Sequence, residues 1–137
     1  MRHLFPRHGR SDRGFTIIEL LVVLSLIMIL VSLAMNNYRN SILTAKEATL
    51  RSNLTRMRDA IDQYYADKGV YPASIQALVS DGYMRAIPMD TITNSTDTWT
   101  TVAAEPDPNN PSAEPGVYDV KSGAQGTSLD GSTYSDW

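Results

Sequence analysis

Arg13-Gly14-Phe15-Thr16-Ile17-Ile18-Glu19-Leu20-Leu21-Val22-Val23-Leu24 opens an apolar run that continues to Met35. From Phe15 to Met35 the run has one charge, Glu19, and neither Gly nor Pro. At about 1.5 Å per residue a helix over 15–35 reaches about 31 Å, enough to cross a bilayer core. On its N-terminal side, Arg2, Arg7, Arg10 and Arg13 outnumber Asp12. Beyond Met35, from Asn36 to Trp137, acids outnumber bases. By the positive-inside rule the basic end stays cytoplasmic and the acidic remainder lies across the membrane. The alternative is a cleaved secretory signal, which ends in small residues. Ser32 and Ala34 are small, but Leu33, Met35, Asn36, Asn37 and Tyr38 make a poor cleavage site, so a retained membrane helix is expected. A buried core helix is disfavoured, because 137 residues make one small domain with little to surround it.

Composition narrows the chemistry. The chain contains no Cys, which excludes disulfides, thiolate nucleophiles and Cys-based zinc sites. Its two His, His3 and His8, fall in the basic N-terminal stretch. The net charge is -3, and the acidic part after Met35 would repel phosphate, so no nucleic-acid partner is expected. There is no Gly-rich phosphate loop and no recognisable nucleophile–base pair, so the chain is not expected to be an enzyme. A carboxylate-only hydrolase remains formally open.

After the apolar run the pattern turns amphipathic. Leu43, Leu50, Leu54, Met57, Ile61 and Tyr64 recur mostly every three or four residues, the period of one helical face. Lys46, Glu47, Arg51, Arg56, Arg58, Asp59 and Asp62 are expected on the other faces. Gly69, after Lys68, reads as a helix stop. One helix of about 80 Å is therefore expected from Phe15 to near Lys68. Its apolar stripe is expected to pack against the rest of the chain; a coiled coil is the alternative.

Ser74 reads as an N-cap and Gly82 as a stop for a short second helix. Trp99–Val102 and Val117–Val120 read as strands, with an exposed Pro-, Asn- and Glu-rich connection between them. A third strand is expected near Tyr134. The fold class is α+β: a long N-terminal helix, half transmembrane and half amphipathic, packed on a small antiparallel sheet with long loops. Asn94-Ser95-Thr96 and Asn53-Leu54-Thr55 match the glycosylation tripeptide, a short pattern that also arises by chance.

The stretch Gly14-Phe15-Thr16-Ile17-Ile18-Glu19 resembles the leader junction of type IV pilins and of the pseudopilins of type II secretion. The resemblance implies cleavage after Gly14 by a prepilin peptidase, N-methylation of Phe15, and retention of the apolar run. It divides the chain into a leader (1–14), a transmembrane and polymerisation helix (15–35) and a periplasmic pilin-like head (36–137). It also gives Glu19 a role in assembly, pairing with the N-terminal amine of a neighbouring subunit. An unpaired acid in hydrocarbon costs on the order of 2.5–3.5 kcal/mol at a helix centre, so such an acid usually has a partner. A simpler reading leaves Glu19 as an interfacial acid favoured by the helix dipole. Related helices often carry a Gly and a Pro in or just after the apolar run; here Asn36 stands where pseudopilins often have Pro, and a continuous helix is expected.

Tyr71-Pro72, the short helix with Leu78, Gly82-Tyr83 and Ile87-Pro88-Met89-Asp90 resemble the head of the major pseudopilin of type II secretion. The run from Asp119 to Ser132 is similar to the calcium loop of that protein, one residue shorter and with Gln125 where the family has Asp. The resemblance implies calcium as a cofactor, held by Asp130, with Gln125 as an amide ligand and the Ser122 carbonyl as a backbone ligand. An ordinary Asp-Gly turn explains the same residues.

The expected function is that of a structural subunit, polymerising through its N-terminal helix into a type II secretion pseudopilus. The implied partners are other copies of the chain, the prepilin peptidase and methyltransferase, an inner-membrane assembly platform, minor pseudopilins and the inner membrane itself. A pilin of a surface type IV pilus is the alternative. A monomeric membrane-anchored binding protein is a more distant one.

Overall fold

A computed structural model of the chain describes residues 14–106, 108–112 and 114–137. The residues of the expected leader before Gly14, with its arginines and both histidines, lie outside the described residues. Helix α1 runs from Ile17 to Lys68 without a break. No Gly or Pro interrupts those residues, and Leu, Ile, Met, Ala, Arg and Lys are good helix formers. The helix is continuous through Asn36, as expected from the missing Pro. At its end Gly69 takes the left-handed conformation (φ 71°), and its N–H donates to the Tyr65 carbonyl at 2.8 Å. Lys68, in the last turn, pairs with Asp81 and sits 4.4 Å from the Tyr64 ring centroid.

The chain forms two compact units, Met1–Arg39 and Asn40–Trp137, and α1 belongs to both. In the first unit every described residue is exposed. An 18-residue window of the helix reaches a mean hydropathy of 2.9, and none of it is buried. Its hydroxyls turn back on the backbone: Ser25 Oγ donates to the Leu21 carbonyl and Ser32 Oγ to that of Met28, each at 2.8 Å. Such internal bonds suit a helix that meets no water.

In the second unit the expected stripe is the core. Leu50, Leu54, Met57 and Ile61 are at most 1% exposed, and Ile75, Leu78, Val117, Val120, Ala124 and Tyr134 join them. Leu43, at the start of the stripe, is only half-buried. Helix α2 spans Ile75–Ser80, with Ser74 as its N-cap: the Ser74 Oγ accepts from the Ala77 N–H. Strands β1 (Thr100–Ala103) and β2 (Val117–Lys121) pair antiparallel, Thr101 opposite Val120 and Val102 opposite Asp119. The register slips between Val102 and Ala103, which leaves Tyr118 as the extra residue of a bulge. The Val117 N–H donates to the Pro72 carbonyl at 2.7 Å, tying β2 to the link between the helices.

The expected third strand is not there. Tyr134–Asp136 form a 3-10 turn, and nearby only one isolated bridge, Thr127 to Thr133, has strand character. The side chain of Tyr134 is committed to the core, which fixes the chain at one point and curls it.

Gly123, just past β2, passes so close to the Thr98 carbonyl that a Cβ would lie 1.9 Å from its oxygen. Gly123→Ala must push two backbones apart and is expected to cost roughly 1–3 kcal/mol, the usual range for overpacking. Thermal or urea denaturation of the full chain in detergent checks it, and an unchanged midpoint contradicts the close approach.

Candidate functional site

Two groups of residues carry the expected chemistry. The first is the start of α1. Gly14, Phe15 and Thr16 precede the helix, outside regular structure and exposed. Thr16 caps it: its Oγ1 accepts from the Glu19 N–H at 3.2 Å. Thr16-Ile17-Ile18-Glu19 has the spacing of a capping box, and Phe15 and Leu20 hold the positions of a hydrophobic staple. The motif thus also marks where the helix starts, a structural role that sequence reading did not give to Thr16. Glu19 lies in the first turn, where the helix dipole favours an acid. Among the described residues its carboxylate makes no ion pair and no hydrogen bond. It is exposed, and it is the one polar side chain of the apolar run without a partner among the described residues.

The second group is the C-terminal loop, 122–137, and the edge of α1 that faces it. Glu47 is buried, and its Oε1 accepts from the Leu129 N–H at 3.0 Å and from the Tyr134 hydroxyl at 2.7 Å. Arg51 Nη2 lies 2.5 Å from Asp130 Oδ2, and its guanidinium carbon is 4.0 Å from the Trp137 ring centroid. Arg58 donates from Nε to Asp119 Oδ1 at 2.7 Å, and from Nη2 to the Val120 carbonyl at 3.0 Å and to the main-chain oxygen of Trp137. Asp130 Oδ1 accepts from the Ser128 hydroxyl, from the Ser132 N–H at 2.9 Å and from the Ser132 hydroxyl at 2.6 Å. The Ser128 and Ser132 hydroxyls, the Ser132 N–H and then Arg51 hold the Asp130 carboxyl well below the usual carboxylate range.

The three residues expected to hold calcium do not share a partner. Ser122 was expected to contribute its carbonyl; its hydroxyl donates to Oδ2 of Asp90 at 2.5 Å, in a buried contact. Gln125 is exposed. Asp130 and Gly131 form the turn that the alternative reading gave: the Gly131 N–H donates to the Ser128 carbonyl, and Gly131 has φ 89°. Among the described residues no three His, Cys, Asp or Glu side chains gather into a metal-ligand group. Both oxygens of Asp130 are engaged, one of them by the Arg51 guanidinium, whereas a calcium ion wants six to eight oxygens.

Residues 9–35 match the family described as the prokaryotic N-terminal methylation motif. The chain is 31% identical over 97 residues to the type II secretion system core protein G of Klebsiella michiganensis, covering 59% of this chain and 68% of that protein. Against the core protein G of Klebsiella pneumoniae it is 32% identical, over 59% of this chain and 69% of the relative. The chain belongs to the type IV pilin-like family. A fimbrial protein of Eikenella corrodens is 31% identical over 81 residues, but that match spans about half of the fimbrial protein's length (53%) and 56% of this chain. No solved structure matches. The α+β architecture is that of a pilin-like chain, a long apolar N-terminal helix with a two-stranded antiparallel sheet.

For this pilin-like subunit, the periodicity set Glu47, Arg51 and Arg58 on faces other than the apolar stripe. The structure turns all three toward the tail. Their spacing, at 47, 51 and 58, was a usable signal: it is a polar helical row that flanks the apolar one and meets it at Leu54. Asp90, read only as part of a loop motif, is fully buried, with Oδ1 accepting from the Ile92 and Thr93 N–H groups.

Burial first, and then its hydrogen bond to Glu47, push the Tyr134 hydroxyl up to about 12. A folded-state value above the ordinary one of about 10 means that this contribution is complete below pH 10 and is lost as pH rises toward 12. Tyr134→Phe should therefore lose less stability than the wild type between those two pH values. Denaturation midpoints of both proteins across that window check it; parallel profiles would count against the Tyr134–Glu47 contact.

Proposed function

We propose that the chain is a structural subunit, not an enzyme, which polymerises through its N-terminal helix into a type II secretion pseudopilus. The observation that carries this reading is the unpartnered Glu19 carboxylate on a helix whose apolar surface, from Ile17 to Met35, is exposed all round. A helix of that kind is satisfied by lipid and then by other copies of itself. In the proposed sequence of events a prepilin peptidase cuts after Gly14, the new Phe15 amine is methylated, and the helix over 15–35 stays in the inner membrane. The head, from Asn36 on, then faces the periplasm. Glu19 meets the N-terminal amine of a neighbouring subunit, so a copy joins only where both charges are neutralised. An inner-membrane assembly platform and minor pseudopilins would complete the machine.

The core protein G relatives are matched over more of their own length than the fimbrial protein, which favours secretion over a surface pilus. Deletion of the gene should stop export of secreted proteins and leave surface pili unchanged; the reverse outcome would favour a pilin.

Two measurements test the subunit itself. The intact mass of membrane-extracted protein should correspond to loss of Met1–Gly14 and gain of one methyl group; a mass that keeps the leader rejects the processing step. Glu19→Ala should insert normally but leave a neighbour's amine uncompensated in an apolar bundle. With a cost of a few kcal/mol, filament assembly should fall on the order of a hundredfold. Filament yield by shearing and immunoblot, set against membrane content, reads this out, and normal filaments would remove Glu19 from the mechanism.

A further inference from the structure

The segment after β2 has little to hold it. It has no Cys, and between Ser122 and Trp137 its buried residues are Ser122, Ala124, Ser128 and Tyr134. From Ala86 to Trp137 the chain has eight acids and one base, Lys121. A tail of this charge needs cations from elsewhere to order it. In the family it resembles, that cation is calcium, and the residues here do not fit it. Two carboxylates reach the loop around the Asp130-Gly131 turn. One oxygen of Glu47 accepts from the Leu129 N–H and the Tyr134 hydroxyl, and both oxygens of Asp130 are taken, by Arg51, Ser128 and Ser132.

We infer that the Arg51 guanidinium is the resident cation of this loop, taking the place of a divalent ion, so that the head orders without calcium. Three contacts carry the assignment. The guanidinium lies at hydrogen-bond distance from Asp130 Oδ2, where it neutralises the carboxylate whose other oxygen closes the turn. It lies over the indole of Trp137, a cation–π contact at 4.0 Å. The Trp137 Nε1 in turn donates to Ser132 Oγ at 2.7 Å, and this hydroxyl donates to Asp130. Arg51, Asp130, Ser132 and Trp137 therefore form a closed ring of contacts that joins α1, the turn and Trp137. A divalent ion approaching Asp130 would meet a fixed positive charge and find too few free oxygens. Lysine is not an equivalent here, because an ammonium keeps the charge but loses the planar face that stacks on the indole.

The test uses the full chain in detergent micelles, followed by thermal melting and tryptophan emission. Millimolar CaCl₂ and a calcium chelator should leave the wild-type melting temperature and emission the same. A saturable rise in melting temperature with calcium overturns the inference. Arg51→Gln should lower the melting temperature by roughly 5 °C and shift emission to the red as Trp137 loses its cover. Arg51→Lys should fall between the two in melting temperature and still show the red shift. If both variants melt and emit like the wild type, the guanidinium is not the cation that orders the loop. Should Arg51→Gln not fold, the wild-type calcium titration and Arg51→Lys decide the matter by the same criteria.

Discussion

The row Leu50, Leu54, Met57 and Ile61 on α1 is the surface on which the other elements of the second unit are laid. A two-stranded sheet does not hold its shape alone in water, and a six-residue helix does so even less. What stabilises β2 is that Val117 and Val120 turn onto this row, and α2 is fixed there by Ile75 and Leu78. Full burial of each such side chain contributes about 1.5–3 kcal/mol, enough over a few residues to order short elements of weak intrinsic preference. The fold is therefore organised by one face of one helix. The sheet is a cover for that face, not a scaffold in its own right.

Beside the apolar row runs a polar one, and the two do different work. Glu47, Arg51 and Arg58 contribute hydrogen bonds and ion pairs to a tail with few apolar residues. Single exposed ion pairs add little stability, so Arg51–Asp130 alone would not order a loop. The geometry answers this by sharing partners. Arg51 serves both Asp130 and the Trp137 ring, and Arg58 serves Asp119, Val120 and Trp137. Once one of these contacts has fixed a side chain, the next costs less entropy. The polar row also gives direction, because a hydrophobic stripe accepts a chain in many registers, whereas a carboxylate with two specific donors accepts one.

Local rules made most of the fold legible. The helix span follows from the absence of Gly and Pro up to Gly69, the second helix from Ser74 and Gly82, and the strands from β-branched and aromatic runs that fall within a residue or two of where they form. The contacts that were not legible are long-range. Tyr134 has a strand-like neighbourhood in sequence, but its hydroxyl reaches Glu47, on a helix far earlier in the chain, and that contact sets the local conformation. Periodicity sorted α1 by polarity, which put Glu47 and the two arginines on faces other than the apolar stripe; no local rule says that an acidic tail will fold back over them. Asp90 was hidden for the same reason, since its burial depends on Ser122 arriving from the far end of β2. For the site, the position of Glu19 was legible and its capping geometry was not read, although Thr16 stands at the required spacing.

Two glutamates on the same helix show what separates the two units. Glu47 is buried and is acceptable there because a backbone N–H and a phenol hydroxyl from its own chain meet one of its oxygens. Glu19 stands on an apolar helix surface with no such donors among the described residues. While that surface faces water the carboxylate is solvated and nothing is missing. Any apolar surrounding, whether lipid or packed helices, puts on Glu19 the demand that Tyr134 and Leu129 meet for Glu47. Within the chain that demand is met only where the chain folds back on α1, between Asn40 and Lys68. At the other end of the helix no described residue supplies a donor to Glu19, so among the described residues nothing meets that demand.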